Sequence, residues 1–127
     1  MGSEQENEVR PRRRLMVVED DPRLRRAFAF ALETEFDVVQ IGTVEDAMSR
    51  LEGDDEVDLV LCDLILDGQT GVELFDLLLS SGDPRAARFV LMTAHDPVRM
   101  RLPNVPTLLK PFTVETLRRT LAEVSAA

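Results

Sequence analysis

Apolar residues along this chain follow two alternating patterns: short unbroken runs, and longer stretches in which they return every third or fourth position. The first pattern predicts strands buried on both faces, the second amphipathic helices. Leu15-Met16-Val17-Val18 predicts a first strand, closed by Glu19-Asp20-Asp21. Asp21-Pro22 reads as an N-cap with proline at the first helical position, opening a helix that runs to about Thr34 with Leu24, Ala27, Phe28, Ala31 and Leu32 on its inner face. Asp37–Ile41 predicts a second strand, and Gly42-Thr43 leads into a helix from Val44 to about Leu51, with Thr43 and Asp46 as a weak capping box. Asp58-Leu59-Val60-Leu61-Cys62-Asp63 is too continuously apolar for a half-exposed strand and too short for a helix, so it predicts the central strand. Behind it, Gly68 and Gly71 let the chain turn tightly before a third helix, about Gly71 to Ser81, whose Val72, Leu74, Phe75, Leu77, Leu78 and Leu79 are expected to pack into the core. Gly82-Asp83-Pro84 predicts a turn, Arg88–Thr93 a fourth strand and Val105–Leu109 a short fifth. Thr113 caps a last helix, Val114 to about Ser125, burying Leu117, Leu121 and Val124.

Strands alternating with helices at this spacing predict an α/β fold, a doubly wound five-stranded parallel sheet between two helical layers. In a parallel sheet the C-terminal ends of the strands share one edge. Glu19 and Asp20, Asp63, Thr93 and Lys110 each sit at such an end. In the strand order 2-1-3-4-5 the first and third strands flank the topological switch point, where open sheets of this class bind ligands. Three carboxylates gathered there repel one another unless a cation sits among them. Oxygen ligands without His or Cys favour a hard ion that keeps several waters, which makes Mg²⁺ the expected cofactor. A metal and the Lys110 ammonium around Asp63 suit that carboxylate to accept a phosphoryl group, with the Thr93 hydroxyl and the backbone N–H of Ala94 on the opposite side of it.

Composition narrows this picture. A chain of 127 residues supports one domain, and with 44% hydrophobic residues and no apolar run of membrane-spanning length it is expected to be soluble. Met1-Gly2-Ser3 lacks the apolar core of a signal peptide, and Glu6 stands where a myristoylation signal needs Ser or Thr, so a cytoplasmic location is expected. Twenty-four acidic against 15 basic residues give a net charge of −9, which opposes binding to nucleic acid or a membrane. Arg10, Arg12, Arg13 and Arg14 form a basic cluster beside an acidic segment carrying Glu4, Glu6 and Glu8; residues 1–13 read as a flexible tail or linker and 14–126 as the domain. Cys62 is the only cysteine, so no internal disulfide forms, and it reads as a small buried hydrophobe. His95, the only histidine, reads as a solvent-facing loop residue.

From Arg14 to Ser125 the chain resembles the receiver domain of two-component response regulators. Four segments carry the likeness in order: Val-Val-Glu19-Asp20-Asp21, Cys-Asp63-Leu-Ile-Leu-Asp-Gly-Gln-Thr-Gly71, Leu-Met-Thr93-Ala94 and Lys110-Pro111-Phe112. The resemblance implies a flavodoxin-like fold and a Mg²⁺-dependent signalling switch rather than a turnover enzyme. Asp63 is then the phosphoacceptor and Asp20 a direct metal ligand, while Glu19 holds the metal mainly through water and the Ile65 carbonyl is a further ligand. Thr93 and Lys110 contact the phosphoryl group, with Ala94 beside them, and the Lys110–Pro111 bond is cis. The implied partners are a cognate sensor histidine kinase or phosphotransfer domain and a downstream protein, with a homodimer also in view. The Arg101-Leu102-Pro103-Asn104-Val105-Pro106 stretch looks like receivers attached to hybrid sensor kinases.

Several positions depart from that pattern. Asp67 replaces a common proline, which is expected to loosen the loop after the phosphoacceptor, and Thr107 replaces the usual switching aromatic. The Thr93–Lys110 interval is shorter than the family's by roughly one and a half helical turns. Pro97, Pro103 and Pro106 punctuate it, so a shortened or missing fourth helix is expected. These departures leave open a phosphorylation-independent pseudo-receiver acting as an interaction module. A phosphatase with an aspartyl nucleophile would place a second Asp two residues on, where Ile65 stands. A flavin site would want a Trp or Tyr to stack on the ring, and the chain has neither.

Overall fold

In the computed structural model, residues 12–53, 56–96 and 101–126 are described. The apolar runs become strands β1 (Arg14–Val18), β2 (Asp37–Ile41), β3 (Leu59–Asp63), β6 (Phe89–Thr93) and β7 (Thr107–Leu109), all parallel, in the order β2-β1-β3-β6-β7. That is the expected 2-1-3-4-5 sheet once two short strands in the loop after Asp63 are set aside. Between them run the helices α1 (Pro22–Leu32), α2 (Val44–Gly53), α3 (Gly71–Ser80) and α4 (Val114–Ser125). Alternation along each strand sends successive side chains to opposite faces. Met16, Val18, Val60, Cys62 and Leu91 pack under α2 and α3, whereas Leu15, Val17, Leu61, Val90 and Met92 pack with α1 and α4. Each fully buried Leu, Val or Met contributes about 1.5–3 kcal/mol of transfer free energy.

The caps are where the sequence places them. Asp21 accepts from the Arg23 N–H at 3.0 Å ahead of Pro22, Thr43 from the Asp46 N–H at 3.0 Å, and Thr113 from the Thr116 N–H at 3.0 Å. α1 stops at Leu32, short of Thr34, and in the turn that follows the Glu35 and Phe36 N–H groups both donate to the Leu32 carbonyl. Arg88 belongs to a 3-10 turn, Pro84–Arg88, capped by Asp83, rather than to a strand. β7 starts at Thr107 rather than Val105; Pro106 has no N–H to give the ladder, although its carbonyl still accepts from Leu91 at 2.9 Å.

The loop after Asp63 differs most from expectation. Ile65–Leu66 (β4) and Gln69–Thr70 (β5) pair antiparallel across Asp67-Gly68, with φ of 39° and 87° at these two residues. Positive φ at both central positions is the geometry of a two-residue hairpin, which Asp-Gly favours. Asp67 is therefore held in a paired two-residue hairpin turn. None of the described residues between β6 and β7, 94–96 and 101–106, is helical, as a shortened fourth helix requires. Pro97 lies outside the described residues, as do residues 1–11 of the expected tail. Among the described residues no helix is long and apolar enough to cross a membrane.

Candidate functional site

Register alone brings the site together. β1 aligns Val18 with Cys62, so Glu19 and Asp63 leave their strands side by side; β3 aligns Asp63 with Met92, one residue before Thr93, and β6 aligns Thr93 with Leu109, one before Lys110. Backbone bonds continue each ladder past its end. The Glu19 N–H donates to the Ile41 carbonyl at 3.0 Å, the Leu64 N–H to Met92 at 2.7 Å and the Lys110 N–H to Thr93 at 2.7 Å.

One carboxylate oxygen from each of Glu19, Asp20 and Asp63 lies within 4.8 Å of the others. Lys110 reaches in from the side, its Nζ 3.1 Å from Asp63 Oδ1 and 3.4 Å from Glu19 Oε1. A cavity of about 110 Å³ opens beside Asp63, lined by Ile65, Thr93, Ala94, His95 and Lys110. Thr93 is buried, and its Oγ1 accepts from the His95 N–H at 2.9 Å. The structure thus gathers Glu19, Asp20, Asp63 and Lys110 into one cluster and sets Ile65, Thr93 and Ala94 around the adjoining cavity. The exposed His95 stands on its rim, and the Lys110–Pro111 bond is cis.

One lysine does not balance these charges. Burial pushes the Asp63 carboxyl above its usual 3.8, and the charge of Asp20 adds to this, despite the opposing hydrogen bond and charge of Lys110. Burial likewise raises Glu19; the Asp21 N–H, which its Oε2 accepts at 3.2 Å, opposes the rise, and the charge of Asp63 reinforces it. Burial alone would lower Lys110, but its contacts with Asp63 and then Glu19 outweigh that and raise it. The lysine gains two carboxylate partners, while each carboxylate keeps its burial cost and an acidic neighbour. An all-oxygen donor set with residual negative charge is the chemistry of a site for a hard divalent cation. Cys62, fully buried, donates its thiol to the Asp63 carbonyl at 3.2 Å; burial, then the charges of Asp63 and Glu19, push that thiol well up, in keeping with an inert core residue.

Two supporting residues take on roles that the sequence does not show. A Cβ on Gly71 would stand 2.6 Å from the Asp63 carbonyl oxygen and 2.9 Å from both Cys62 Sγ and Leu91 Cδ2, so α3 approaches β3 this closely only through a glycine. Arg25 in α1 donates from Nη1 to the Glu19 carbonyl at 2.7 Å. Its only signal was an arginine one turn into the helix that leaves the acidic loop. Thr107 is half-buried and donates its hydroxyl to the Val105 carbonyl at 3.0 Å.

Comparison with known proteins extends the likeness over most of the chain. Residues 15–122 match the response regulator receiver domain family. Among solved structures, the signal receiver domain of a putative Luxo repressor protein from Vibrio parahaemolyticus is 22% identical, with a TM-score of 0.79 over 91% of each chain. The response regulator protein TrrA from Thermotoga maritima, solved in complex with Mg²⁺-BeF, is 21% identical, with a TM-score of 0.77 over 88% of this chain and 98% of its own. A sensor protein from Polaromonas sp. JS666 is 25% identical, with a TM-score of 0.78 over 91% of this chain and 98% of its own. No curated protein sequence matches the chain. With a sheet order, an acidic edge and a family pattern that coincide over the same residues, the chain belongs to the response regulator receiver domain family of two-component systems.

Proposed function

We propose that this domain is a phosphoacceptor switch in which Asp63 takes a phosphoryl group from a histidine of a partner kinase or phosphotransfer domain. The observation that carries this reading is the Lys110 ammonium held 3.1 Å from Asp63 Oδ1 beside a three-carboxylate cluster. In the transfer the donor's P–N bond breaks and a P–O bond forms to an Asp63 carboxylate oxygen, leaving the partner histidine as a free imidazole. Lys110 offsets charge on the transferred group from one side, and Thr93 Oγ1 with the Ala94 N–H receives its oxygens from the other. Glu19, Asp20, Asp63 and the Ile65 carbonyl are the residues to hold Mg²⁺, which when bound neutralises negative charge on the phosphoryl oxygens. The acyl phosphate then shifts an existing equilibrium between two surface conformations. The domain boundary at residue 14 belongs to the same reading, with residues 1–13 as a tail or linker. The likeness to a protein described as a sensor supports a kinase-linked role.

Intact-protein mass after incubation with acetyl phosphate, with and without Mg²⁺, tests the proposal. The expected result is a gain of one phosphoryl group that needs Mg²⁺ and is lost in Asp63→Asn. Thr107, hydrogen-bonded to backbone where an aromatic usually rotates, is the observation that favours a phosphorylation-independent module. That second reading stands if neither acetyl phosphate nor a cognate kinase modifies Asp63.

A further inference from the structure

Glu19 is held at both ends of its backbone. Its N–H donates to the Ile41 carbonyl at 3.0 Å, and its carbonyl accepts from Arg25 Nη1 at 2.7 Å. The second contact bears directly on Asp20. The Glu19 carbonyl and the Asp20 N–H belong to one planar peptide, so holding that carbonyl sets the plane from which the Asp20 Cα and side chain depart. Helix geometry delivers Arg25 to this spot: α1 starts from the Asp21 cap, and the Arg25 N–H closes its first turn on the Asp21 carbonyl at 2.9 Å. From there the half-buried side chain reaches back over the acidic loop.

The space for the guanidinium comes from another element. Gly42 follows Ile41, the residue whose carbonyl receives the Glu19 N–H. A Cβ on Gly42 would stand 3.1 Å from Arg25 Nη1 and 3.8 Å from its Cζ, with no other atom within 4 Å. Gly42 is not among the described glycines with positive φ, so it is Arg25 and not backbone strain that limits a side chain there. α1, the end of β1 and the β2–α2 connection therefore meet through one guanidinium.

We infer that Arg25 is a positioning residue for the cation-binding loop: it orients the Glu19–Asp20 peptide so that the Asp20 carboxylate faces the ion, and Gly42 is the gap that admits it. This rests on the Mg²⁺ reading above. The role is geometric, acting through a backbone carbonyl rather than by contact with the ion, and it extends the recognised cluster by two residues on two other elements.

Mg²⁺ titration followed by backbone amide NMR, on wild type, Arg25→Met, Arg25→Lys, Gly42→Ala and the Arg25→Met/Gly42→Ala double variant, tests it, with metal-free melting midpoints recorded for each. Arg25→Met is expected to weaken Mg²⁺ binding about tenfold, as loss of a group orienting a metal ligand does. Arg25→Lys should recover part of this, because an ammonium still donates one hydrogen bond. Gly42→Ala should weaken binding by a smaller factor in the wild-type background and not at all in Arg25→Met. Wild-type affinity in Arg25→Met overturns the assignment, as does an undiminished Gly42→Ala effect in that background, or affinities that follow only the metal-free midpoints. If Arg25→Met does not fold, Arg25→Lys and Gly42→Ala must still lower affinity at an unchanged midpoint, or the assignment fails. A wild type that binds no Mg²⁺ overturns the metal reading itself, and this inference with it.

Discussion

Asp63 and Glu19 are each ionised in the fold at a cost set mainly by burial, and that cost has a sign that can be measured. Both folded-state values lie above the ordinary 3.8 and 4.5, so the folded domain holds these protons more tightly than the unfolded chain does. Stability from these groups is therefore greatest below the ordinary values, falls as pH rises through the raised ones, and is at its lowest near neutrality. The upward shift of Asp63 already includes the attraction of Lys110, so removing the charge relieves more than it loses. Metal-free Asp63→Asn and Glu19→Gln are accordingly expected to melt above wild type at pH 7 and to lose that advantage below about pH 4. Thermal unfolding by circular dichroism at the two pH values checks this. Added Mg²⁺ should raise the wild-type midpoint toward the variants by binding only the folded state. A midpoint for Asp63→Asn below wild type at pH 7 would show that the Lys110 pair outweighs burial. The identity of these residues was legible in the sequence because each sits at a strand end. The burial that sets their protonation was not, since it depends on the helices packed on both faces of the sheet.

At the scale of elements, the hairpin after Asp63 is built on a positive-φ Asp-Gly pair. Proline, the commoner residue at position 67 in the family resemblance, is confined near φ −65°, whereas Asp67 has φ 39°. Asp67→Pro is therefore expected to destabilise this protein by about 1–3 kcal/mol. Urea unfolding checks it, and a neutral or stabilising result would mean that the loop readily takes another turn. The Asp-Gly signal was present in the sequence, but the flanking Ile-Leu and Gln-Thr pairs are too short to show a period of two, so the hairpin was missed. The other boundary differences have similarly local causes. Arg88 directly precedes the apolar run Phe89–Met92, which suggests a strand, whereas the Asp83 cap and Pro84 wind it into a 3-10 turn.

At the scale of the whole molecule, chemistry gathers at one edge of the sheet and an ion pair between the buried Arg85 and the half-buried Asp83 ties together the other. Arg85, buried, donates to Asp83 Oδ2 at 2.8 Å and also to the Leu51 carbonyl at the end of α2, at 2.7 Å, and to the Val57 carbonyl ahead of β3, at 3.4 Å. Arg85→Met would leave those carbonyls without their donor and Asp83 without its charge partner, although the backbone N–H of residue 85 would still cap that carboxylate, and is expected to cost about 3 kcal/mol in urea unfolding. The phosphoryl uptake proposed for Asp63 should survive, since the contacts lie at the opposite ends of the strands. The hydrogen bond from Arg85 holds Asp83 below its usual 3.8, so the pair stabilises the fold above that pH, and its contribution fades as pH falls through the lowered value. The gap between wild type and Arg85→Met should narrow in that acid range. A gap independent of pH would assign the loss to the two carbonyls alone.

By itself the sequence determined the alternation of strands and helices, and through it the meeting of Glu19, Asp20, Asp63, Thr93 and Lys110. Hydrophobic period is a local property, and right-handed crossovers between parallel strands bring their C-terminal ends to one edge. Only the tertiary structure decided that Lys110 is shared between two carboxylates, that Arg25 grips the Glu19 carbonyl in a gap left by Gly42, that Gly71 lets α3 touch β3 beneath Asp63, and that Arg85 closes the far edge. Each of these depends on how far a side chain reaches across elements distant in sequence, and that distance is set by packing rather than by period.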